Sequence, residues 1–169
     1  MKRLLLCRHA KSSWKDPSLT DRQRPLNRRG KRDAPLMGEW LATRGVRPDA
    51  VVSSPARRAR KTAKHLARKL GYPPARIRIV EAIYGATPGV LLDCIREFDP
   101  AWEQVLMVGH NNEFTVLANI LGDLEIGNVP TCGVVCLDFA VASWQDAGEG
   151  GGILVFFDYP KKILARQER

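Results

Sequence analysis

Leu4-Leu5-Leu6-Cys7-Arg8-His9 is the stretch near the N-terminus that decides how the rest of the chain is interpreted. Four apolar residues followed at once by two basic ones are typical of a short buried strand that ends in polar surroundings. In an open α/β sheet, ligands bind beyond the carboxyl ends of the strands. Arg8 and His9 therefore lie where a site is expected, provided that the downstream sequence builds such a sheet.

The downstream sequence predicts further strands that alternate with helices. Its apolar runs predict five further strands, at residues 49–53, 76–80, 105–108, 134–139 and 153–157. Its capping and proline signals predict four helices, at residues 27–44, 54–70, 87–98 and 111–121. The last two strands follow each other directly, joined by a Gly-rich turn. This order predicts a three-layer α/β/α sandwich, with a mostly parallel sheet and an antiparallel edge.

Several helix boundaries have explicit signals in the sequence. Asn27 is a suitable N-cap for the first helix and Gly45 a suitable stop, while Pro35 inside it predicts a kink or a later start. Ser54-Pro55 and Thr87-Pro88 each combine a cap with a proline near the first helical position. The intervening polar segments are predicted as loops.

The loop between the first strand and the first helix is unusually long. Residues 10–26 are polar and contain Pro17 and Pro25. Loops of this length in a compact domain are often functional. We therefore expect this loop to contribute to the site at the end of the first strand.

Length and composition describe an ordinary globular protein. The 169 residues match one domain, so residues 1–169 are expected to form a single domain. Hydrophobic residues make up 44% and charged residues 27%, which excludes a disordered chain. No apolar run approaches the roughly 18 residues of a membrane helix. The N-terminal apolar run stops after Cys7, too early for a signal peptide, so a cytoplasmic location is expected.

The charge of the chain favours anionic ligands without choosing among them. Lys and Arg number 27 against 18 Asp and Glu, a formal net charge of +9. This excess suits phosphate esters, phosphoproteins or nucleic acid, and it is equally consistent with a basic surface that keeps the protein in solution. The basic residues are dispersed and no RNA or DNA recognition motif is present, which argues against nucleic acid as a partner.

The cysteines and histidines do not form a metal-binding pattern. Cys132 and Cys136 are close in sequence, but no second pair lies near them, and the chain has only three histidines. Free cysteines of this kind are usually small buried hydrophobic residues. Neither a metal nor a cofactor is therefore expected.

Three of the predicted strands run into residues suited to phosphate chemistry. The first ends at Arg8-His9, the second leads into Ser54 and Arg58, and the fourth leads into Gly109-His110. If these strands are parallel neighbours, their ends converge. Guanidinium groups match phosphoryl oxygens, and an imidazole that is neutral near pH 7 can attack phosphorus. The chain has no Gly-rich phosphate loop, and no Cys is followed five residues later by an Arg at a strand end, which argues against an NTPase and against a cysteine phosphatase.

These motifs resemble the histidine phosphatase superfamily, the phosphoglycerate-mutase-like proteins. Arg8-His9-Ala10 is similar to its Arg-His-Gly motif, and Gly109-His110-Asn111 to its second-histidine motif. Residues 54–63, Ser-Pro-Ala-Arg-Arg-Ala-Arg-Lys-Thr-Ala, resemble its Ser-Pro-x-x-Arg-Ala-x-x-Thr-Ala segment. The resemblance implies a phosphoglycerate-mutase-like fold.

The long loop and the C-terminal part resemble the SixA-like phosphohistidine phosphatases, a short branch of that superfamily. Residues 8–14 and 21–30 carry the loop pattern, including Arg24-Pro25-Leu26. Pro130-Thr131-Cys132-Gly133-Val134 and Tyr159-Pro160-Lys161-Lys162 are also similar to that branch. The likeness extends over nearly the whole chain.

The resemblance implies a role for each matching residue. His9 corresponds to the nucleophile, and Arg8 and Arg58 to residues that bind the phosphoryl group. His110 corresponds to the second histidine, which hydrogen-bonds phosphoryl oxygens. Arg24 matches a further phosphate-binding arginine of the short branch.

Glu81 is a candidate for a general acid. Larger members of the superfamily use a carboxylate after the third strand to protonate the leaving oxygen, and Glu81 is the nearest carboxylate here. The alternative is an exposed strand-end carboxylate paired with a nearby arginine. Phosphohistidine needs less acid assistance, because imidazole leaves more easily than an alkoxide.

The sequence thus predicts a metal-independent phosphatase with a phosphohistidine intermediate on His9, acting on phosphohistidine proteins. A phosphomonoesterase for a small metabolite or nucleotide phosphate is the alternative. The short chain leaves few residues for a lid, which favours an open pocket that a protein can enter. A phosphate-binding or nucleic-acid-binding module without catalysis is a third possibility. The oligomeric state is not predicted.

Overall fold

The computed structural model describes all residues from 1 to 169. Six strands form one sheet in the spatial order β3-β2-β4-β1-β5-β6. They are β1 (Lys2–Arg8), β2 (Ala50–Ser53), β3 (Arg78–Ile79), β4 (Gln104–Gly109), β5 (Val134–Phe139) and β6 (Gly152–Asp158).

The sheet is mostly parallel, as predicted. β1 pairs in parallel with β4, β4 with β2, and β2 with β3. β5 is antiparallel both to β1 and to β6. The reversed strand is therefore β5, one position inside the edge, and the edge strand β6 runs in the same direction as β1. The predicted antiparallel edge consists of these last two strands.

Five helices cover the two faces of the sheet, which completes the predicted α/β/α sandwich. They are α1 (Arg28–Thr43), α2 (Arg57–Lys69), α3 (Pro88–Arg96), α4 (Glu113–Gly122) and α5 (Pro160–Gln167). None of them combines the length and the apolar character that crossing a membrane requires.

The apolar run of β1 is continuous because both of its faces are buried. Leu4 and Leu6 pack into the core under α3 and α4, and Leu5 and Cys7 pack into the core under α1, α2 and α5. A central strand covered on both sides needs apolar residues at consecutive positions rather than at alternate ones. This burial fixes the direction in which Arg8 and His9 leave the sheet.

The predicted helix signals act as expected at two starts. The Asn27 side chain accepts a hydrogen bond from the Gly30 backbone N–H, and the Thr87 side chain accepts one from Val90. Pro35 lies inside α1 without delaying its start, so the prediction of a later start is wrong. Gly45 follows α1 with a φ of 74°, which favours glycine at this stop.

Four elements differ from the sequence prediction. Helix α2 begins at Arg57 with Ala56 as its N-cap, so the prediction that Ser54 caps it is wrong. β3 has only two residues, both exposed, and the residues before it, Pro74–Arg76, form a 3₁₀ turn instead. The connection between β5 and β6 is longer than the predicted glycine turn and includes a 3₁₀ turn at Trp144–Asp146. The sequence analysis missed α5, which buries Ile163 against the α1 and α2 side of the core.

The start of α1 is packed against the beginning of the long loop at Gly30. The Lys11 carbonyl accepts a hydrogen bond from the Asn27 N–H at 3.0 Å, and a Cβ at position 30 would collide with the same carbonyl oxygen. Gly30→Ala is expected to lower the free energy of unfolding by about 1–3 kcal/mol, because backbone must move to admit the methyl group.

Gly89→Ala is the matched control for that substitution. Gly89 lies in helix α3, and a Cβ at this position would have the Thr87 hydroxyl as its nearest neighbour, at 3.9 Å. Alanine there is expected to be neutral or slightly stabilising, because it favours helix more than glycine does. Urea unfolding of the three proteins measures both effects, and equal stability of the two variants would contradict the packing argument.

Candidate active site

The two histidines of the predicted site meet because β1 and β4 are parallel neighbours. Arg8 pairs with Gly109 across the two strands, and the His9 N–H donates to the Gly109 carbonyl at 3.0 Å. His9 and His110 thus follow the ends of adjacent strands, and their ring centroids are 5.2 Å apart. The structure brings these two sequence-predicted residues together.

The hydrogen bonds of His9 define which ring nitrogen is available. Its Nδ1 lies 2.7 Å from the Ala10 carbonyl oxygen, which can only accept, so Nδ1 carries the proton. Nε2 is then unprotonated, and its lone pair accepts a hydrogen bond from Arg58 Nε at 3.3 Å. His9 is buried. This burial, together with the charges of Arg58 and Arg8, lowers the pKa of His9 to about 3, so the ring is neutral at pH 7.

His110 is held in the same pocket as a second neutral ring. Its Nε2 lies 2.7 Å from the Ser54 hydroxyl, at the end of β2. Burial, followed by the charge of Arg58, lowers the pKa of His110 to about 4. The Tyr84 ring stands nearly perpendicular to it at a centroid distance of 5.5 Å.

Arg58 is aimed inward from the first turn of α2. Its side chain is buried, and its guanidinium donates to His9, to the Asp21 carbonyl and, at 3.0 Å, to the Asp21 carboxylate. Thr62, one turn later, donates to the Arg58 carbonyl and accepts from the Ala10 N–H at 2.9 Å. The hydroxyl of Thr62 therefore ties α2 to the residue after His9.

Arg24 reaches the site from the long loop. Its guanidinium stacks on the Trp14 ring at 3.3 Å and donates to Asp21 at 2.9 Å and to the Ser12 hydroxyl. The side chain is 9% exposed. The loop of residues 10–26 contributes to the site as its length suggested, through an arginine that aromatic and polar neighbours hold in place.

Asp21 is a member of the site that the sequence analysis missed. Its carboxylate accepts hydrogen bonds from Arg24, from Arg58 and, at 2.6 Å, from the Tyr84 hydroxyl. These three donors, with Tyr84 first, lower the pKa of Asp21 to about 2. The available signal was an acidic residue three positions before Arg24 in the functional loop, but a sequence does not reveal which distant arginine it meets.

Arg8 leaves a donor without a partner next to the histidines. Its Nη1 donates to the Val129 carbonyl at 3.0 Å, while its Nε is buried and makes no hydrogen bond. Burial lowers the pKa of Arg8 from its usual value. A buried, unpaired guanidinium donor is costly, and an anion bound beside it would relieve that cost.

Glu81 lies in an exposed ion pair. Both of its carboxylate oxygens accept from Arg22, at 2.7 and 2.8 Å, and its side chain is 70% exposed. It makes no hydrogen bond to either histidine of the pocket. This arrangement corresponds to the alternative stated from the sequence, a strand-end carboxylate paired with a nearby arginine.

The pocket as a whole is suited to a phosphoryl group. Two neutral imidazoles lie close to the guanidiniums of Arg8 and Arg58, and Asp21 joins Arg58 to Arg24. Asp21 is the one carboxylate that contacts these three guanidiniums. No cluster of three or more His, Cys, Asp or Glu side chains is placed to hold a metal ion. Fold and site together define a class, the α/β proteins that bind a phosphoryl group at the carboxyl edge of a parallel sheet.

A sequence model of the histidine phosphatase superfamily (branch 1) matches residues 4–107. The chain belongs to this superfamily, and it is a phosphatase of the SixA-like kind. An uncharacterized protein of Mycobacterium tuberculosis is 34% identical over 164 residues, which cover 91% of this chain and 99% of that protein.

Solved structures agree with this assignment. A crystal structure from Agrobacterium tumefaciens, provisionally named the phosphohistidine phosphatase SixA, is similar with a TM-score of 0.81 at 27% identity, over 94% of this chain and 98% of that one. The structure of the protein histidine phosphatase SixA complexed with tungstate has a TM-score of 0.81 at 19% identity, over 95% and 99% of the two chains. The second comparison shows the shared fold.

The neutral buried histidines predict how stability depends on pH. Unfolded histidine takes up a proton below about pH 6.5, whereas folded His9 and His110 remain neutral down to about pH 3 and 4. The unfolded state therefore binds more protons in this window, and the free energy of unfolding must fall as the pH is lowered from 6.5 to 4.

The His9→Asn/His110→Asn double variant tests the origin of this slope. Urea unfolding at pH 7, 5.5 and 4 should show a shallower loss of stability in the variant, with a remaining slope to which His65 contributes. Asp21 acts at lower pH, because its contribution is lost only as the pH falls from 3.8 towards about 2. Equal slopes in both proteins between pH 6.5 and 4 would contradict the assigned protonation states.

Proposed function

We propose that this phosphatase is a metal-independent protein phosphohistidine phosphatase that works through a phosphohistidine intermediate on His9. The observation that carries the proposal is the neutral Nε2 of His9, buried beside Arg8 and Arg58. A neutral imidazole nitrogen is a nucleophile, and adjacent guanidiniums stabilise the charge of a phosphoryl group in transfer. The similarity to the Agrobacterium structure supports phosphohistidine as the substrate.

In the first step, His9 Nε2 attacks phosphorus in line with the bond to the leaving group. A P–N bond forms to His9 while the bond to the substrate nitrogen breaks, and that nitrogen takes a proton from solvent. The ring of His9 becomes positively charged, and its Nδ1–H remains hydrogen-bonded to the Ala10 carbonyl. This fixed acceptor stabilises the cationic phosphohistidine.

In the second step, a water oxygen attacks the phosphorus and the P–N bond to His9 breaks. Inorganic phosphate leaves, the water gives up a proton to solvent, and His9 returns to its neutral form with the proton on Nδ1. Arg8, Arg24, Arg58 and His110 hold the phosphoryl oxygens during both transfers. Positioned charges of this kind provide most of the catalysis in phosphoryl transfer.

Asp21 is the positioning group for these guanidiniums. It contacts Arg24 and Arg58 in the free site, and a phosphoryl oxygen would take the same donors. Its side chain is 49% exposed, so the pocket opens to solvent at Asp21. An opening of this kind supports a substrate carried on a protein surface. We take residues 1–169 to be a single domain that contains the whole site.

His9→Ala is expected to lower phosphate release from a phosphohistidine protein at least a thousandfold, because it removes the nucleophile. The assay contains EDTA throughout, and full activity of the unaltered enzyme is expected under that condition. Quenching with detergent at alkaline pH, where the P–N bond of phosphohistidine is stable, should trap a phosphoenzyme in the unaltered protein and none in the variant.

His65→Ala is the matched control, because His65 lies in α2 away from the pocket. This variant should retain full turnover. The proposal fails if His9→Ala remains active, or if EDTA abolishes turnover. Circular dichroism verifies that both variants are folded.

Glu81→Gln separates the two substrate classes. Imidazole is a good leaving group, and Glu81 is exposed and held by Arg22, so phosphohistidine hydrolysis should fall less than about threefold. The comparison substrates are p-nitrophenyl phosphate and a panel of sugar and nucleotide phosphates. A preference for one alkyl ester, combined with a loss of more than about tenfold in the variant, would instead identify a phosphomonoesterase with Glu81 as its acid.

A further inference from the structure

A second concave surface lies directly beside the His9 pocket. This groove, of about 580 Å³, runs between the loop segment 19–23 and the first turns of α2. Only two of its nine lining residues, Leu19 and Ile79, are hydrophobic. Three of the others are arginines: Arg22, Arg57 and Arg60. We refer to this surface as the arginine groove.

Two guanidiniums of the arginine groove have no partner in the protein. Arg57 and Arg60 are exposed, and neither makes a salt bridge or a side-chain hydrogen bond. Arg22 is paired with Glu81. Cations near a helix N-terminus are unfavourable, and the first turn of α2 has no acidic residue to offset its arginines. An anion in the groove would therefore gain two free donors and relieve this repulsion.

The arginine groove and the catalytic pocket share a wall. Arg58 lies between Arg57 and Arg60 on α2 and points inward to His9, whereas its two neighbours line the groove. Asp21 lies between Thr20 and Arg22, and its carboxylate binds Arg58 inside the pocket. A substrate that presents its phosphoryl group to His9 can thus extend over the groove without crossing another element.

We propose that the arginine groove binds a second anionic group of the substrate, a carboxylate or phosphate next to the phosphoryl group that is transferred. This proposal rests on the proposed function and adds to it a preference for substrates that carry a second anion. In a protein substrate the second group is an acidic side chain near the phosphohistidine. In a small substrate it is a second phosphate or a carboxylate. Both sources share the chemistry that paired guanidiniums recognise.

The Arg57→Gln/Arg60→Gln double variant tests the arginine groove. With a substrate that carries a second anion, kcat/KM is expected to fall at least tenfold, mainly through KM, because the lost contact acts equally on ground state and transition state. With p-nitrophenyl phosphate, which has no second anion, the fall should be less than about threefold, reflecting only weaker long-range attraction. The defining result is this difference between the two substrates.

Lys61→Gln/Arg68→Gln is the matched control. Both residues are exposed on α2, outside the arginine groove, and the double variant removes the same charge from the same helix. It should leave the kinetics of both substrates unchanged. If the two double variants lose activity equally, net charge explains the effect and the groove proposal is overturned.

Two pairs of substrates distinguish the sources of the second anion. One pair is adenosine 3′,5′-bisphosphate and adenosine 5′-monophosphate, and the other is a phosphohistidine protein with its neighbouring acidic residues intact or replaced by amides. If the Arg57 and Arg60 substitutions lower kcat/KM more for the bisphosphate than for the monophosphate, the substrate is a small bis-anionic molecule. If they lower kcat/KM more for the protein with its acidic residues intact, the second anion lies on an acidic protein surface. Equal losses within both pairs, or none in either, overturn the proposal.

A failure of the proposed function is distinguishable from a failure of the groove. If the proposed function is wrong, the unaltered enzyme releases no phosphate from any substrate. In that case calorimetry measures binding to the His9→Ala protein with and without the Arg57 and Arg60 substitutions. The ligands are the same two nucleotides and the same two proteins in their unphosphorylated form. Tighter binding of the bisphosphate, or of the protein with its acidic residues intact, that disappears with these substitutions supports the groove. No difference for either pair overturns it.

Discussion

The parallel pairing of β1 with β4 is the constraint on which the site depends. In this register Arg8 lies opposite Gly109, so His9 and His110 leave the sheet at the same level, and the His9 N–H bonds to the Gly109 carbonyl. A shift by one residue would turn every side chain of the strand to the other face. Two separate cores hold the register, since the consecutive apolar residues of β1 pack into both.

The pocket keeps its two histidines neutral by burying them among cationic donors. Burial disfavours protonated His9, and the Arg58 guanidinium beside Nε2 disfavours it further. The guanidiniums in turn need acceptors, which are the carboxylate and carbonyl of Asp21 and the carbonyl of Val129. The arginine donors that lack such acceptors, in the pocket and in the groove, are those most suited to bind an anion.

Local signals predicted the elements whose stability is local or whose burial is complete. Asn27 and Thr87 cap the helices that they were expected to cap, because a side-chain cap depends only on neighbouring backbone. The residues around β3 alternate like a strand, but only Arg78–Ile79 pair with the sheet, since an edge strand depends on the partner beside it. Helix α5 gave no strong pattern, and its stability comes from packing Ile163 against the core.

The sequence by itself determined the family, the sheet class and the residues at the strand ends, because short motifs in a fixed order after apolar runs identify them. It could not determine the partners of side chains far apart in the chain. That Asp21 meets Arg58 and Tyr84, that Glu81 meets Arg22, and that Arg57 and Arg60 meet no acid was decided only by the tertiary structure. The physical reason is that an ion pair depends on distance in space, which packing sets and sequence spacing does not.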